Sequence, residues 1–129
     1  MRLAATGARL TITARNEEQG RAVAMETATR TGSDAEVLPI DFTDLGSVRQ
    51  AAQFYLETHD DLAVLINNAG TVVGKRSTTI DGQEKTFATN HLGPFLFTSL
   101  LTDLLVSSAP SRVINTSSVA HTYAKEGIL

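Results

Sequence analysis

Short β-branched or continuously apolar runs alternate along this chain with longer segments of helical period. Arg9–Ala14 (RLTITA) is short and β-branched. Glu17–Thr31 carries Ala22, Val23, Met25 and Ala28 among good helix formers, and Glu36–Ile40 (EVLPI) is strand-like again. A helix is predicted over Asp44–His59, with Asp44 as its N-cap and Val48, Ala51, Ala52, Tyr55 and Leu56 spaced for one buried face. Leu62–Ile66 follows as a strand, its Ala63–Ile66 run reading as covered on both faces. A loop over Asn68–Thr79, a long helix from Asp81 to Ser108 and a strand at Arg112–Thr116 (RVINT) complete the pattern. Repeated β–α–β alternation predicts an α/β fold with a doubly wound parallel sheet. No linker, low-complexity tract or repeat divides it.

Composition narrows the function classes. With 129 residues, 42% of them hydrophobic, the chain is at most one domain. Eleven basic against fourteen acidic residues, with no Lys/Arg cluster, argue against nucleic acid as a partner. There is no cysteine, and His59, His91 and His121 are far apart in sequence, so no metal site is expected. No apolar run approaches the length of a membrane span, and MRLAATGARL lacks the apolar core of a secretion signal. A soluble, cytoplasmic protein is the expectation.

The polar residues share an address. Arg15, Asp41, Asn67, Asn68, Ser117 and Ser118 each fall at or just past the carboxyl end of a predicted strand, where open α/β sheets bind ligands. Taken singly, each reads more readily as a turn or cap residue. Their common location points to a site. Asn115-Thr116-Ser117 matches a glycosylation acceptor, but in a strand expected to be buried.

LINNAG (65–70), DGQEKTFATNHLGPFLFTSLL (81–101) and SAPSRVINTSSVAH (108–121) carry a family likeness, with weaker similarity in RLTITARN (9–16) and LPIDFTDLGSVR (38–49). In this order and spacing the chain resembles the short-chain dehydrogenase/reductase family, in particular its retinol-dehydrogenase-like branch. The likeness implies a Rossmann-like sheet over residues 1–129, as a partial NAD(P)-binding domain without the family's first strand and its C-terminal strands and helices. It implies hydride transfer between a nicotinamide cofactor and a small lipophilic alcohol or carbonyl compound.

Site roles follow residue by residue from that resemblance. Asn68, Ala69 and Gly70 line the cofactor cleft, with the asparagine amides satisfying backbone groups of the neighbouring strand; for Asn67 and Asn68, stabilising the sheet and touching cofactor remain equal readings. Gly70 is read as permitting torsions or close contacts that a side chain would block. Asp41 accepts from the adenine amino group, its alternative being a turn-initiating aspartate. Arg15 stands where NAD-selective members place an acid, and a guanidinium there can pair with a 2′-phosphate, so NADP is preferred over NAD. Glu17 and Glu18 are first-turn acids of the following helix. For catalysis, Ser118 hydrogen-bonds the substrate oxygen, and Asn90 holds a water in a proton relay through an irregular helical turn; alone, Asn90 would read as an exposed helix residue. Pro94, where the branch often has His, fits a disturbed helix, because it cannot donate to the carbonyl four residues back.

Two elements of the family pattern are missing. The glycine-rich TGxxxGxG turn that holds the pyrophosphate is absent; Thr6-Gly7-Ala8 precedes the RLTITA strand without the further glycines, and the chain starts, by resemblance, inside the first helix. The YxxxK element is absent too, since Tyr123 lies too close to Ser118 and is followed four residues on by Gly127. RLTITA and AVLI are then expected to lack a shared neighbouring strand and to leave two unpaired edges. Two readings follow: a fragment of an NADP-dependent oxidoreductase, inactive alone, or a non-catalytic truncated product acting through binding or dimerisation. The resemblance places a dimer interface on the 81–108 helix, where Phe87, Leu92, Phe95, Leu96, Leu100 and Leu104 offer apolar surface, most of it expected in the core.

Overall fold

The structure, a computed structural model, describes residues 2–119; His121 and Tyr123 lie outside the described residues. A 3₁₀ turn at Ala4–Thr6 ends on Gly7, whose φ of 80° is the left-handed stop that glycine adopts freely. Strand β1 (Leu10–Ala14), helix α1 (Glu17–Thr31), strand β2 (Ala35–Pro39), helix α2 (Leu45–Thr58) and strand β3 (Val64–Asn67) follow. Beyond a loop come α3 (Lys85–Phe87), a π-turn (Ala88–Leu92), α4 (Gly93–Leu100), α5 (Thr102–Ser107) and strand β4 (Arg112–Asn115).

The strands form two parallel pairs. β1 pairs with β2 in the register Leu10↔Ala35 to Ala14↔Pro39, and β3 with β4 from Val64↔Arg112 to Asn67↔Asn115. Among the described residues no ladder joins the pairs, so β1 and β3 are not neighbours. An ion pair between Arg9 and Asp61 links the chain entering one pair to the chain entering the other.

Local chemistry explains the helix limits. Asn16 caps α1 by accepting from the Gln19 N–H at 3.0 Å, and Gly32, with φ 71°, closes its far end. Asp44 caps α2 through the N–H groups of Gly46 and Ser47, and Asp81 from the distant loop accepts from Leu45 N–H at 2.9 Å. Helix α1 lies close on the first pair because Gly20 faces it: a Cβ there would stand 2.7 Å from Val37 Cγ1 and 2.8 Å from Ala14 Cβ. Val23 and Met25 of the same helix point outward.

The core is built by Leu38 and Ile40, the α2 face Val48, Ala51, Ala52 and Tyr55, and Phe97, Leu101 and Leu105. Phe42 meets Phe97 edge-on with centroids 6.3 Å apart. Gly93 lets α4 approach the loop after β2, since a Cβ there would stand 2.9 Å from the Phe42 carbonyl oxygen.

Two expectations change. The long 81–108 helix is divided, because Gly93 N–H reaches back five residues to the Ala88 carbonyl in the π-turn, and Leu101 leaves helical geometry at ψ 4°. Leu96, Leu100 and Leu104 pack against the core, whereas Phe87 and Phe95 are 50% and 65% exposed. The second change concerns the strands expected to be covered on both faces. Residues in register on parallel strands share a face, and Val64, Ile66 and Ile114 are exposed together while Leu65 packs on the core. Helices cover one face of this pair among the described residues, and every residue of β4 is exposed, Asn115 included.

Candidate functional site: a cleft at the carboxyl ends of the strands

Two concavities meet where the strands end. The larger, about 730 Å³, is lined by Asn67 to Val72, by Asn90, His91, Pro94, Phe95 and Thr98, and by Val113 and Asn115–Ser118. The smaller, about 270 Å³, is lined by Thr13–Arg15, Ile40–Thr43, Lys85 and Thr89. Ala69, Gly70 and Thr71 belong to both and form the wall they share. The residues singled out in the sequence are thereby distributed: Asn68, Asn90 and Ser118 on the larger concavity, Arg15 and Asp41 on the smaller, Ala69 and Gly70 between them.

The asparagines at the end of β3 bind side chains, not the backbone of the neighbouring strand. Asn67 Nδ2 donates to Thr98 Oγ1 at 3.0 Å and to Asn115 Oδ1 at 2.8 Å, tying β3 to α4 and β4. Asn68 Oδ1 accepts from Thr116 Oγ1 at 3.1 Å. Asn67 therefore acts as a three-way brace between two strands and the helix behind them.

Asn90 sits in the π-turn and reaches across to the shared wall. Its Oδ1 accepts from the Thr71 N–H at 2.8 Å and its Nδ2 donates to the Thr71 carbonyl at 2.9 Å, as a neighbouring strand would. Pro94 has no N–H to give the Asn90 carbonyl, which is spared the ordinary helical bond. Thr71 and Thr98 are the partners that sequence reasoning missed; nothing in their spacing signals them, because both contacts are made across the fold.

On the smaller concavity, Asp41 Oδ1 accepts from Thr43 N–H at 2.8 Å and from Thr43 Oγ1 at 2.7 Å. The turn-initiating reading of Asp41 is thus observed, and it leaves Oδ2 outside these two bonds. Arg15 is exposed at the end of β1 and makes no ion pair among the described residues, while Glu17 pairs with Arg21 one helical turn on. Gly70 has no positive φ, and an added Cβ would come no closer than 3.6 Å to Asn90 Oδ1. Neither backbone torsion nor protein packing requires glycine there; what a side chain would occupy is the open cleft.

The 77–85 segment leads into α3, and Lys85 at its end lines the smaller concavity. Glu84 caps α3 by accepting from Thr86 and Phe87 N–H at 3.0 and 2.7 Å, and these bonds hold its carboxyl below the usual range. A depressed carboxyl contributes stability above its ordinary value, lost as pH falls through the folded value. Glu84→Gln is therefore expected to flatten the acid limb of stability as pH falls below the ordinary carboxylate range, measured as the urea midpoint against pH. An unchanged limb would assign acid sensitivity elsewhere.

Among the described residues no cluster of His, Asp or Glu is arranged to hold a metal ion, and no helix is long and apolar enough to cross a membrane.

A parallel α/β arrangement with its polar residues gathered at the strand ends is shared with a known family: residues 1–128 match the model described as short chain dehydrogenase, and the chain belongs to that family. It is 44% identical over 120 residues to human retinol dehydrogenase 11, covering 92% of this chain and 38% of that protein. It is 43% identical over 124 residues to mouse retinol dehydrogenase 12, covering 95% and 39%. The chain spans about two fifths of the length of these curated relatives. Among solved structures, a metagenomic short-chain oxidoreductase in complex with NADP superposes with a TM-score of 0.78 at 28% identity, covering 98% of this chain and 57% of that one. Pseudomonas aeruginosa RhlG in its NADP active-site complex gives 0.72 at 37% identity, covering 94% and 49%. The Rossmann-like fold class expected from the sequence is the class of these neighbours.

Proposed function

We propose that this chain carries the cofactor cleft and part of the catalytic surface of an NADP-dependent alcohol dehydrogenase or carbonyl reductase acting on a small lipophilic substrate. The observation that carries this reading is the convergence of Arg15, Asp41, Asn68–Gly70, Asn90 and Ser118 on one cleft with a common wall. The donor set fits a dinucleotide: a guanidinium and a carboxylate oxygen on the small concavity, a side-chain-free wall at Gly70, and amide and hydroxyl groups on the large one. NADPH, when bound, supplies the hydride. Arg15 pairs with the 2′-phosphate, Asp41 Oδ2 accepts from the adenine amino group, and Ser118 holds the substrate oxygen. Asn90, its side chain clasping Thr71, offers its main-chain carbonyl to a relay water.

The same reading makes the 129-residue chain inactive alone. It has two tyrosines: Tyr55 is buried in the core, where desolvation raises its hydroxyl above the usual value, and Tyr123 lacks the lysine four residues on. Neither serves as a general acid beside Ser118. A homodimer through the 81–108 segment belongs to this proposal, with exposed Phe87 and Phe95, stacked on either side of His91, as its apolar surface.

Amide NMR titration of the chain with NADPH tests the reading. Arg15, Asp41 and Gly70 signals are expected to move, and Gly70→Ala is expected to keep the unfolding midpoint within about 0.5 kcal/mol while weakening NADPH at least ~10-fold. Unmoved signals at saturating NADPH would refute it. NADPH oxidation with a lipophilic aldehyde above the rate of an Asn90→Ala, Ser118→Ala double variant would refute inactivity of the chain alone.

A further inference from the structure

Resting on that reading of the small concavity, we propose that Lys85 is a second cation for the ribose 2′-phosphate and, with Arg15, sets the preference for the phosphorylated cofactor. Three ionisable side chains line this concavity: Arg15, Lys85 and Asp41. Its balance is one positive charge in excess, and among the described residues neither cation has a carboxylate partner.

The backbone at Lys85 is fixed from both sides. Its N–H donates to the Ser77 carbonyl at 2.9 Å, and its carbonyl accepts from Thr89 Oγ1 at 2.8 Å. The 77–85 hairpin behind it is closed by the Thr79 N–H to Gln83 carbonyl bond at 2.8 Å and turns at Gly82, whose φ is 74°. The root of the side chain is thus held against the cleft, and only its flexible stem is free to adjust.

Lys85 is half-buried, and among the described residues its charge has no ion-pair partner. The adjacent carboxylate, Glu84, is engaged with the first amides of α3. Asp41 is held on one oxygen by Thr43, and its other oxygen is the one assigned to the adenine amino group. Two cations and one carboxylate on one concavity make it a place that favours an anion. A phosphate monoester, carrying up to two negative charges at neutral pH, matches two cations better than one. On this concavity, with the adenosine end of the cofactor at Asp41, that phosphate is the one on the ribose.

The roles differ in kind. Arg15 offers a planar fork for bidentate contact, whereas Lys85 acts as a point charge that requires no fixed geometry. Charge, not shape, is therefore what substitution at 85 should reveal.

The test titrates the chain with adenosine, 5′-AMP and 2′-AMP, following amide shifts. Lys85→Gln is expected to weaken 2′-AMP about 3–10-fold and adenosine less than about 2-fold, with Lys85→Arg restoring 2′-AMP to within about 2-fold of the parent. Dispersed amide spectra of the two variants verify that both are folded, as among the described residues the side chain contributes no hydrogen bond or ion pair to the fold. Equal weakening of adenosine and 2′-AMP would mean that Lys85 reads the base and would overturn the proposal, as would no change for either. Equal weakening of 5′-AMP and 2′-AMP would overturn it too, by removing the selectivity for the ribose phosphate. If the parent chain binds none of the three, the cofactor reading of the concavity falls as well; if it binds 2′-AMP in an Arg15-dependent way that Lys85→Gln leaves intact, only the present proposal falls.

Discussion

Leu101→Ala is expected to destabilise the protein by about 2–5 kcal/mol, the range for deleting a buried leucine side chain. Leu101 is 1% exposed and among the largest fully buried side chains. It stands between α4 and α5, its N–H shared at 3.2 Å between the Phe97 and Thr98 carbonyls and its own carbonyl accepting from Leu105 N–H at 2.9 Å. Because both helices are anchored there, the surroundings have little freedom to close over the cavity. Urea denaturation measures the loss, with Met25→Ala as control: Met25 is 73% exposed and should change stability by less than about 0.5 kcal/mol. A loss at Leu101 below about 1 kcal/mol would mean that α4 and α5 do not pack on α2 as described.

Asn90→Ala should have the larger consequence for chemistry. It removes both bonds to Thr71, leaving a backbone donor and acceptor on the wall between the concavities without their partner. Half-buried Thr71 regains some of this from water, so a stability loss of about 1–2 kcal/mol is expected. In a protein of the relatives' full length, a relay whose residue 90 carbonyl is positioned by that clasp predicts a fall in kcat of about 10²–10⁴ when the clasp is lost. Asn90→Asp removes half of the clasp: a carboxylate still accepts from Thr71 N–H but cannot donate to its carbonyl, while the main-chain carbonyl of residue 90 is retained in both variants. If Asn90→Asp retains turnover while losing stability, the side chain serves the wall alone. If both variants turn over normally, the clasp on Thr71 is not what positions the residue 90 carbonyl.

The sequence carried the elements well where local chemistry decides them. Helix α1 occupies the expected residues because Asn16 and Gly32 mark its ends, and Asp44 caps α2 because its carboxylate lies within reach of the next amides. The break in the 81–108 segment was less readable: Pro94 announced a disturbance, but the π-turn depends on Gly93 meeting Phe42 and Asn90 reaching Thr71, two contacts between remote parts of the chain. Exposure of β3 and β4 was unreadable, since an apolar run states what a strand can bury and not what stands opposite it.

For the site, residue type and position after a strand gathered Arg15, Asp41, Asn67, Asn68, Ser117 and Ser118, whereas Ala69, Gly70 and Asn90 entered only through the family resemblance; all of them line the two concavities. By itself the sequence determined the strand–helix alternation, the capping residues and the side-chain chemistry available at the carboxyl ends, because these rest on backbone preferences and short-range hydrogen bonds. Only the tertiary structure decided that Asn67 braces Thr98 and Asn115, that Asn90 closes on Thr71, and that Lys85 shares a concavity with Arg15. Those pairings join residues tens of positions apart, and their geometry is set by how α3, the π-turn and α4 pack beside the strands, which no local pattern encodes.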